Sequence, residues 1–313
     1  MNPTAAHNGR GEAGFSLLEL LVATAVMTVV VGVGMSAMLR VTNSQQTIWN
    51  RTEMHSAVRS ATELLQQEVG QAGRVAPLVG VTLAGNVGAG PQTVGVVSAS
   101  GTPTAAMFVG EKVIIDTNIS QETVSLTGVN AANNQISAVF TNAHAAGAAV
   151  SVTGGFAAGI VPPGGANGST GAVLKLFGDI NSDGNMVYIE YMCDTAGGNL
   201  YRNAMPWTAA TKPPPDPSMI LMRNITANPG DAPCFTYQTQ VTLGMTYVID
   251  VAITLTVRTQ QKDSVTKQYQ NETKALLNVS PRNIFNVWEL ASSTPPLLNR
   301  VQPMPLTVQN LLP

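Results

Sequence analysis

The sequence predicts an α+β protein in which a long N-terminal transmembrane and amphipathic α-helix packs on a β-rich globular head with a small β-module insertion. Three observations lead to this fold class. Residues 20–39 form an apolar run without a charged side chain. Residues 40–73 contain no proline, and their apolar residues recur every three or four positions, which is typical of one buried helix face. From about residue 105 onward, short runs of β-forming residues alternate with turn-forming ones, as in successive strands.

The helix is predicted over residues 15–75, with residues 15–39 as its transmembrane part. A helix of 25 residues is ~37 Å long, which exceeds the ~30 Å hydrocarbon core of a bilayer. Gly73 and Pro77 supply stop signals. The apolar stripe of the second part consists of Met54, Val58, Ala61, Leu65, Val69 and Ala72.

One carboxylate, Glu19, interrupts the transmembrane part. A lone charge in a bilayer costs roughly 2.5–3.5 kcal/mol, so its presence needs a reason. An ordinary membrane anchor with Glu19 near the interface is one interpretation. A secretory signal fits less well, because its cleavage site should follow the apolar region, whereas the small residues Ala13 and Gly14 precede it. The third interpretation is a polar leader, residues 1–14, that is removed before Phe15.

The segment around this carboxylate reads Gly14-Phe15-Ser16-Leu17-Leu18-Glu19. It resembles the cleavage and methylation motif of type IV prepilins and type II secretion pseudopilins. The resemblance implies cleavage after Gly14 by prepilin peptidase, N-methylation of Phe15, and pairing of the Glu19 carboxylate with the terminal amine of a neighbouring subunit. Opposite charges that are buried together are tolerable where each alone is not.

The same resemblance implies where the chain acts and with which partners. Before assembly it is expected in the inner membrane as a single-pass protein held by residues 15–39. It then moves into an extracellular pilus or a periplasmic pseudopilus. The expected partners are other major and minor pilins, prepilin peptidase and the inner-membrane assembly platform.

The rest of the chain divides into three predicted regions. Residues 76–161 form a β-rich region with a small β-module, a candidate small barrel, inserted at about 105–154. Residues 162–291 form a pilin-like β head, and residues 292–313, with five prolines, form an extended or disordered tail. The module resembles an insertion that recurs in bacterial exported proteins, and its His144 is expected to be a structural or surface residue rather than a ligand.

A candidate metal loop lies at residues 179–190 of the predicted head. Its residues match the calcium-loop template Asp-x-Asn-x-Asp-Gly-x5-Glu, in which short oxygen-bearing side chains converge on one cation and the glycine permits a sharp turn. The same residues also make a good hairpin turn without metal. No cofactor is required by the sequence, and Ca²⁺ is the one that it allows. The candidate ligands are Asp179, Asn181, Asp183, Asn185 and Glu190.

The two cysteines, Cys193 and Cys234, follow the membrane segment. They therefore lie on the exported side, where an oxidising compartment favours a disulfide between them. The alternative is a pair of free buried thiols.

Composition excludes several function classes. Only 11% of residues are charged, the formal net charge is −2, and no basic cluster occurs, so direct nucleic-acid binding is not expected. The three histidines lie in the leader, the helix and the module. Without a nucleophile, phosphate-loop or zinc motif around them, the chain is expected not to be an enzyme.

The order of motifs in the head is similar to PilW-type minor pilins and J-type type II secretion pseudopilins. The similarity rests on Gly-Asp-Ile-Asn-Ser-Asp-Gly ahead of Ile-Glu-Tyr, then Asn-Leu-Tyr-Arg, and later Ser280-Pro281-Arg282-Asn283. It implies a minor pilin, a structural subunit with a role in pilus assembly or at the tip. Two alternatives stay open, a pseudopilin of the type II secretion system and a pilus-tip adhesin that binds through its head.

Overall fold

One long helix dominates the computed structural model, which describes residues 14–99, 101–264 and 266–313. This helix, α1 (Leu17–Gln71), is 55 residues long, or about 82 Å at 1.5 Å per residue. It is continuous and ends four residues before the predicted boundary. Ala72 caps its C-terminus, and Gly73 then takes a positive φ of 80°, a backbone conformation that glycine adopts without steric cost.

The side chains of α1 change from exposed to buried along its length. Every residue from 14 to 42 is exposed. Burial begins in the second half, where the predicted apolar stripe faces the head. The buried residues of α1 are Met54, Val58, Ala61, Thr62, Leu65, Glu68 and Val69.

A closed β-barrel follows the helix. Its neighbouring strands run in the order β1-β2-β5-β4-β3-β6. Backbone hydrogen bonds from Leu83 N to Ala148 O (2.9 Å) and from Val150 N to Val81 O (2.8 Å) join the first strand to the last. Closure removes exposed strand edges. The six strands are β1 (Thr82–Leu83), β2 (Gly90–Val97), β3 (Lys112–Ile115), β4 (Glu122–Asn130), β5 (Gln135–Phe140) and β6 (Val150–Val152).

The barrel is larger than the inserted module that the sequence predicts. The β-module was expected at about 105–154, but β1 and β2 belong to the same barrel because β2 pairs with β5 from Gly90 to Gly95. The barrel therefore starts near residue 81. The sequence pattern that would predict β2 as a barrel strand is weak because, among its residues, only Val94 and Val96 are buried.

The head contains two antiparallel sheets. After the short strand β7 (Gly155–Phe156), the first sheet has the order β11-β10-β9-β8, and in the second β14 pairs with β12, β13 and β15. The strands of the first sheet are β8 (Val173–Gly178), β9 (Val187–Asp194), β10 (Asn199–Pro206) and β11 (Ile220–Arg223). Those of the second are β12 (Ile225–Thr226), β13 (Phe235–Thr242), β14 (Met245–Arg258) and β15 (Asn271–Val279).

The chain ends in packed structure, so the prediction of an extended or disordered tail over residues 292–313 is wrong. Helix α2 (Arg282–Ser292) is followed by β16 (Val301–Gln302), which pairs in parallel with β7, and by α3 (Leu306–Leu311). Val308 and Leu311 are fully buried. The reason is that the prolines flank α3 rather than interrupt it, and its apolar residues can reach the head.

One apolar cluster packs the helix on the head, and another packs the barrel against the head. The larger cluster packs the second half of α1 against both sheets and α2. An aromatic cluster lies between barrel and sheets, where the ring centroid of Phe108 is 5.8 Å from that of Phe156 and 6.0 Å from that of Trp207. The observed arrangement of one long apolar helix and a β-rich head confirms the α+β fold class.

Candidate assembly site and the joint between helix and head

The predicted processing site is accessible. Phe15 is 87% exposed, and a Cβ placed on Gly14 would meet no atom within 4 Å. The bond between these two residues therefore lies in the open, just ahead of the first helical turn. The predicted leader, apart from Gly14, falls outside the described residues.

The carboxylate of Glu19 takes part in a capping box at the start of α1. Ser16 N donates to Glu19 Oε2 (3.0 Å), and Glu19 N donates to Ser16 Oγ (3.2 Å). This reciprocal pair satisfies two of the backbone N–H groups that a helix N-terminus leaves without partners. The negative charge also lies at the positive end of the helix dipole. In a single subunit Glu19 thus has a local role, and its pairing with a neighbouring subunit stays a prediction.

The first half of α1 offers a continuous apolar surface. Among the described residues, this is the one helix long and apolar enough to cross a membrane, with a mean hydropathy of 2.2 over its best window. Its hydroxyl groups bond back to the helix, from Thr28 Oγ1 to Thr24 O (2.7 Å) and from Ser36 Oγ to Gly32 O (2.8 Å). Such internal hydrogen bonds are what a lipid environment requires of polar groups.

A charged triad anchors the second half of α1 to the head. Glu68, 3% exposed, lies within the apolar face of the helix. It accepts hydrogen bonds from Arg202 Nη2 (2.5 Å) and Nε (3.1 Å) on β10 and from the hydroxyl of Tyr191 (2.5 Å) on β9. Burial acts to lower the pKa of Arg202, but the hydrogen bond and charge of Glu68 raise it above its usual value. Burial and the Glu68 charge raise the pKa of Tyr191. The triad therefore consists of an ion pair with a neutral phenol.

A second contact, here called the polar clasp, holds the middle of α1. It consists of side chains on one helix face and their partners on or near the connection between β14 and β15. Thr47 Oγ1 donates to Asp263 Oδ2 (2.9 Å), and Gln46 bonds to Gln261 (2.5 Å). The remaining pairs of the clasp are Arg51 with Gln270 and His55 with Glu272. The clasp lies between the exposed apolar half of the helix and its buried stripe.

The C-terminal end of α1 is fixed by side-chain and backbone bonds. Asn283 Nδ2, at the start of α2, donates to Gln71 O (3.0 Å) and Ala72 O (3.4 Å). These are carbonyl groups that a helix terminus leaves without intrahelical partners. The amide of Gly73 donates to Phe177 O (2.9 Å) on β8. The helix therefore enters the head through a junction with both α2 and the first sheet.

The disulfide predicted from the two cysteines joins the sheets. Cys193 at the end of β9 is bonded to Cys234 just before β13, with an S–S distance of 2.00 Å. Both residues are buried, at 5% and 4% exposure. The bond thus ties the first sheet to the second inside the core.

The structure does not bring the candidate calcium ligands together. Glu190 lies on β9, where it accepts from Lys212 Nζ (2.9 Å) and the Tyr188 hydroxyl (2.9 Å). Asp179 is fully buried, and its Oδ1 accepts from the backbone amides of Asp183 (3.0 Å) and Gly184 (3.2 Å). These are the contacts of a turn that joins β8 to β9.

The other three candidates, Asn181, Asp183 and Asn185, are exposed. Across the described residues, no group of three or more His, Cys, Asp or Glu side chains is placed to hold a metal ion. The candidate set therefore does not fit calcium as it stands, because the register of β9 directs Glu190 to Lys212.

His144 is a buried structural residue of the barrel. Its Nε2 lies 2.8 Å from Glu122 Oε1 and its Nδ1 lies 3.5 Å from Asp116 Oδ2. Glu122 also accepts from the backbone amides of Thr141 (2.8 Å) and Asn142 (2.9 Å). These contacts link the β3–β4 and β5–β6 connections at one end of the barrel.

Sequence reasoning missed the residues of the joint, above all Glu68, Arg202 and Asn283. For Glu68 a signal existed, because it lies three residues after Leu65 and four before Ala72, in the middle of the apolar stripe. A carboxylate at such a position needs a buried partner. For Arg202 and Asn283 no local pattern indicates a partner on α1.

A protein-family model matches the N-terminus of the chain. The prokaryotic N-terminal methylation motif matches residues 9–35, which include the processing site, the capping box and most of the apolar surface. No curated protein matches the chain.

Proposed function

We propose that this chain, a type IV pilin-like protein by its N-terminal methylation motif and long apolar helix, is a minor pilin. The motif implies processing by prepilin peptidase and assembly with other pilins. The apolar helix implies anchoring in the membrane before assembly. The finer proposal is a structural subunit of an extracellular type IV pilus that performs no bond chemistry.

The observation that carries this proposal is the division of α1 into two functional halves. Residues 14–42 are exposed and apolar for the most part, and such a surface needs lipid or neighbouring helices around it. The second half is bound to the head by an apolar stripe and a buried ion pair. A helix that is free at one end and fixed at the other suits a subunit that is pulled out of a membrane into a helical bundle with its head attached.

The size of the head supports a position at or near the pilus tip. About 240 residues follow the helix, and they include the barrel in addition to the two sheets. A subunit with so much bulk fits most easily where neighbours do not surround it on all sides. Its proposed partners are major and minor pilins and the inner-membrane assembly platform.

The test compares variants at the capping box in the native host. Glu19→Gln removes the charge but can still accept the bond from Ser16 N, whereas Ser16→Ala removes the hydroxyl cap but keeps the charge. If Glu19 pairs with a neighbouring subunit, Glu19→Gln is processed and held in the membrane but is depleted from sheared pili, and Ser16→Ala is still incorporated. Normal incorporation of Glu19→Gln would contradict the proposal.

The same experiment separates the minor pilin from a pseudopilin. A pseudopilin would give two different results. The processed wild-type protein would be absent from sheared pili, and deletion of its gene would abolish type II secretion but leave pili intact.

A further inference from the structure

The turn that follows α1 lies directly against the loop that joins β8 to β9. Asp179 N donates to Arg74 O (2.9 Å), and the neighbouring Gly178 has a positive φ of 143°. A Cβ on Gly178 would lie 2.8 Å from Arg74 O, closer than side chains tolerate. The two backbones can therefore meet only because a glycine precedes Asp179, and this contact brings the side chain of Arg74 over the loop.

The carboxylate of Asp179 has one satisfied oxygen and one that faces a cation. Oδ1 accepts from two backbone amides of the loop, whereas Oδ2 is buried and accepts no hydrogen bond. The charged group at Oδ2 is the guanidinium of Arg74, with Nε at 3.5 Å. The same guanidinium also bonds to Ser182 Oγ across the loop. A positive charge thus bridges the buried start of the loop and its middle.

This arrangement places an arginine where a calcium loop would place its metal ion. A fully buried carboxylate requires an opposite charge or further donors, since an isolated buried charge costs several kcal/mol. In a metal loop that charge is the cation held among short oxygen-bearing side chains. Arginine stays protonated at all ordinary pH values and carries only donors, so its guanidinium supplies the charge and also repels a divalent cation from Oδ2.

We propose that the guanidinium of Arg74 occupies the cation position of the loop at residues 179–185, in place of a metal ion. The side chain of Arg74, from the turn after α1, contacts both Asp179 and Ser182 of this loop. This contact, here called the Arg74 lock, fixes the end of the helix to the connection between β8 and β9. The Arg74 lock needs no metal ion. It joins the end of α1 to the first sheet at a point separate from the Glu68–Arg202 pair.

The test measures the melting temperature of the full-length chain in detergent, with EDTA and with millimolar calcium. The wild type is expected to melt at the same temperature in both. Arg74→Ala and Asp179→Asn each lower the melting temperature by roughly 4 °C or more, as expected for loss of a partner from a buried pair in a head of this size. The double variant loses clearly less than the sum of the two single losses, because each single change already breaks the pair.

Two controls keep the experiment decisive. Arg59→Ala removes an exposed arginine of α1 that pairs with Glu63 on the surface, and it should leave the melting temperature unchanged. If Arg74→Ala fails to fold, Arg74→Gln, which is polar but uncharged, replaces it in the same cycle with Asp179→Asn. A wild-type melting temperature that falls in EDTA and recovers with calcium would overturn the proposal. Strictly additive losses in the double variant would overturn it as well.

Discussion

The guanidinium of Arg202 on β10 donates hydrogen bonds to the carboxylate of Glu68 on α1 through both Nε and Nη2. The two residues are 134 positions apart in sequence, and Glu68 lies in the apolar core between helix and head. Burial of an ion pair is not by itself stabilising relative to an apolar pair, but removal of one partner leaves the other charge without compensation. The pair therefore specifies how the helix is seated on the head.

Loss of either partner should destabilise the head strongly. Arg202→Ala and Glu68→Ala are each expected to lower the free energy of unfolding by about 3–5 kcal/mol, and the double variant by less than the sum. Urea unfolding followed by tryptophan fluorescence of the full-length chain in detergent measures this. Arg59→Ala, which changes only an exposed pair, serves as the control. Losses for the two single variants no larger than for that control would show that the pair does not hold the joint.

The disulfide should contribute to the same unfolding transition. Closure of a loop with a sequence separation of 41 stabilises by about 4 kcal/mol in the chain-entropy model. The variant with both Cys193→Ser and Cys234→Ser is therefore expected to unfold at a clearly lower urea concentration. Because both residues are buried, reductant should reach the bond of the native wild type only slowly. Rapid reduction without denaturant, or equal midpoints for variant and wild type, would contradict this account.

Glu111 makes the stability of the barrel depend on pH. Its side chain is fully buried ahead of β3. Burial raises the pKa of this carboxyl from 4.5 to about 8, and the hydrogen bond from Phe108 N offsets only part of that effect. Between these two values the folded protein keeps a proton that the unfolded chain releases, so stability falls by roughly 1.4 kcal/mol per pH unit as pH rises through the window. Above about pH 8 this contribution is constant.

The variant Glu111→Gln isolates this effect, because the amide oxygen can still accept from Phe108 N but the group does not titrate. Urea unfolding from pH 5 to 9 should show a falling stability for the wild type and a flatter profile for the variant, with the variant the more stable at the upper end. Parallel profiles would mean that Glu111 is ionised in the folded barrel and paired in another way.

Asn283 provides a test of the junction between α1 and α2. Its amide donates to the last carbonyls of α1, so Asn283→Asp, which has the same shape but no amide donors, should cost about 1–3 kcal/mol. The negative charge of the introduced carboxylate would also lie beside the C-terminus of α1, the negative end of that helix dipole. Asn286→Asp on the exposed face of α2 is a matched control. Equal unfolding midpoints for the two variants would show that the hydrogen bonds of Asn283 do not secure the end of α1.

Local pattern predicted much of the fold. The apolar run of α1 and its stripe from Met54 onward follow from residue spacing alone. Strand β8 lacks alternation because five of its six residues are buried, so it carries no period of two. Strand β2 lies in the predicted β-rich region 76–161 but outside the predicted module, because most of its side chains are exposed or half-buried and give little alternation.

The residues of the candidate site also differ in how far the sequence predicts them. Gly14, Phe15 and Glu19 belong to one short motif, so the sequence alone predicts them. Arg202 and Asn283 contact α1 across more than 130 residues, and no local spacing records such a pairing. The calcium template depends only on residue types along the loop, whereas strand register decides the orientation of Glu190 and the charge beside Asp179 comes from Arg74. Calcium binding by this loop stays a prediction.

The most direct test of the central claim is the N-terminus of the mature protein. Intact mass and N-terminal analysis should be compared for the chain produced with and without the prepilin peptidase of its host. A chain that begins with N-methylated Phe15 only when the peptidase is present is the result that this account predicts. A chain that retains residues 1–14 in both cases would contradict it and would make α1 a simple membrane anchor.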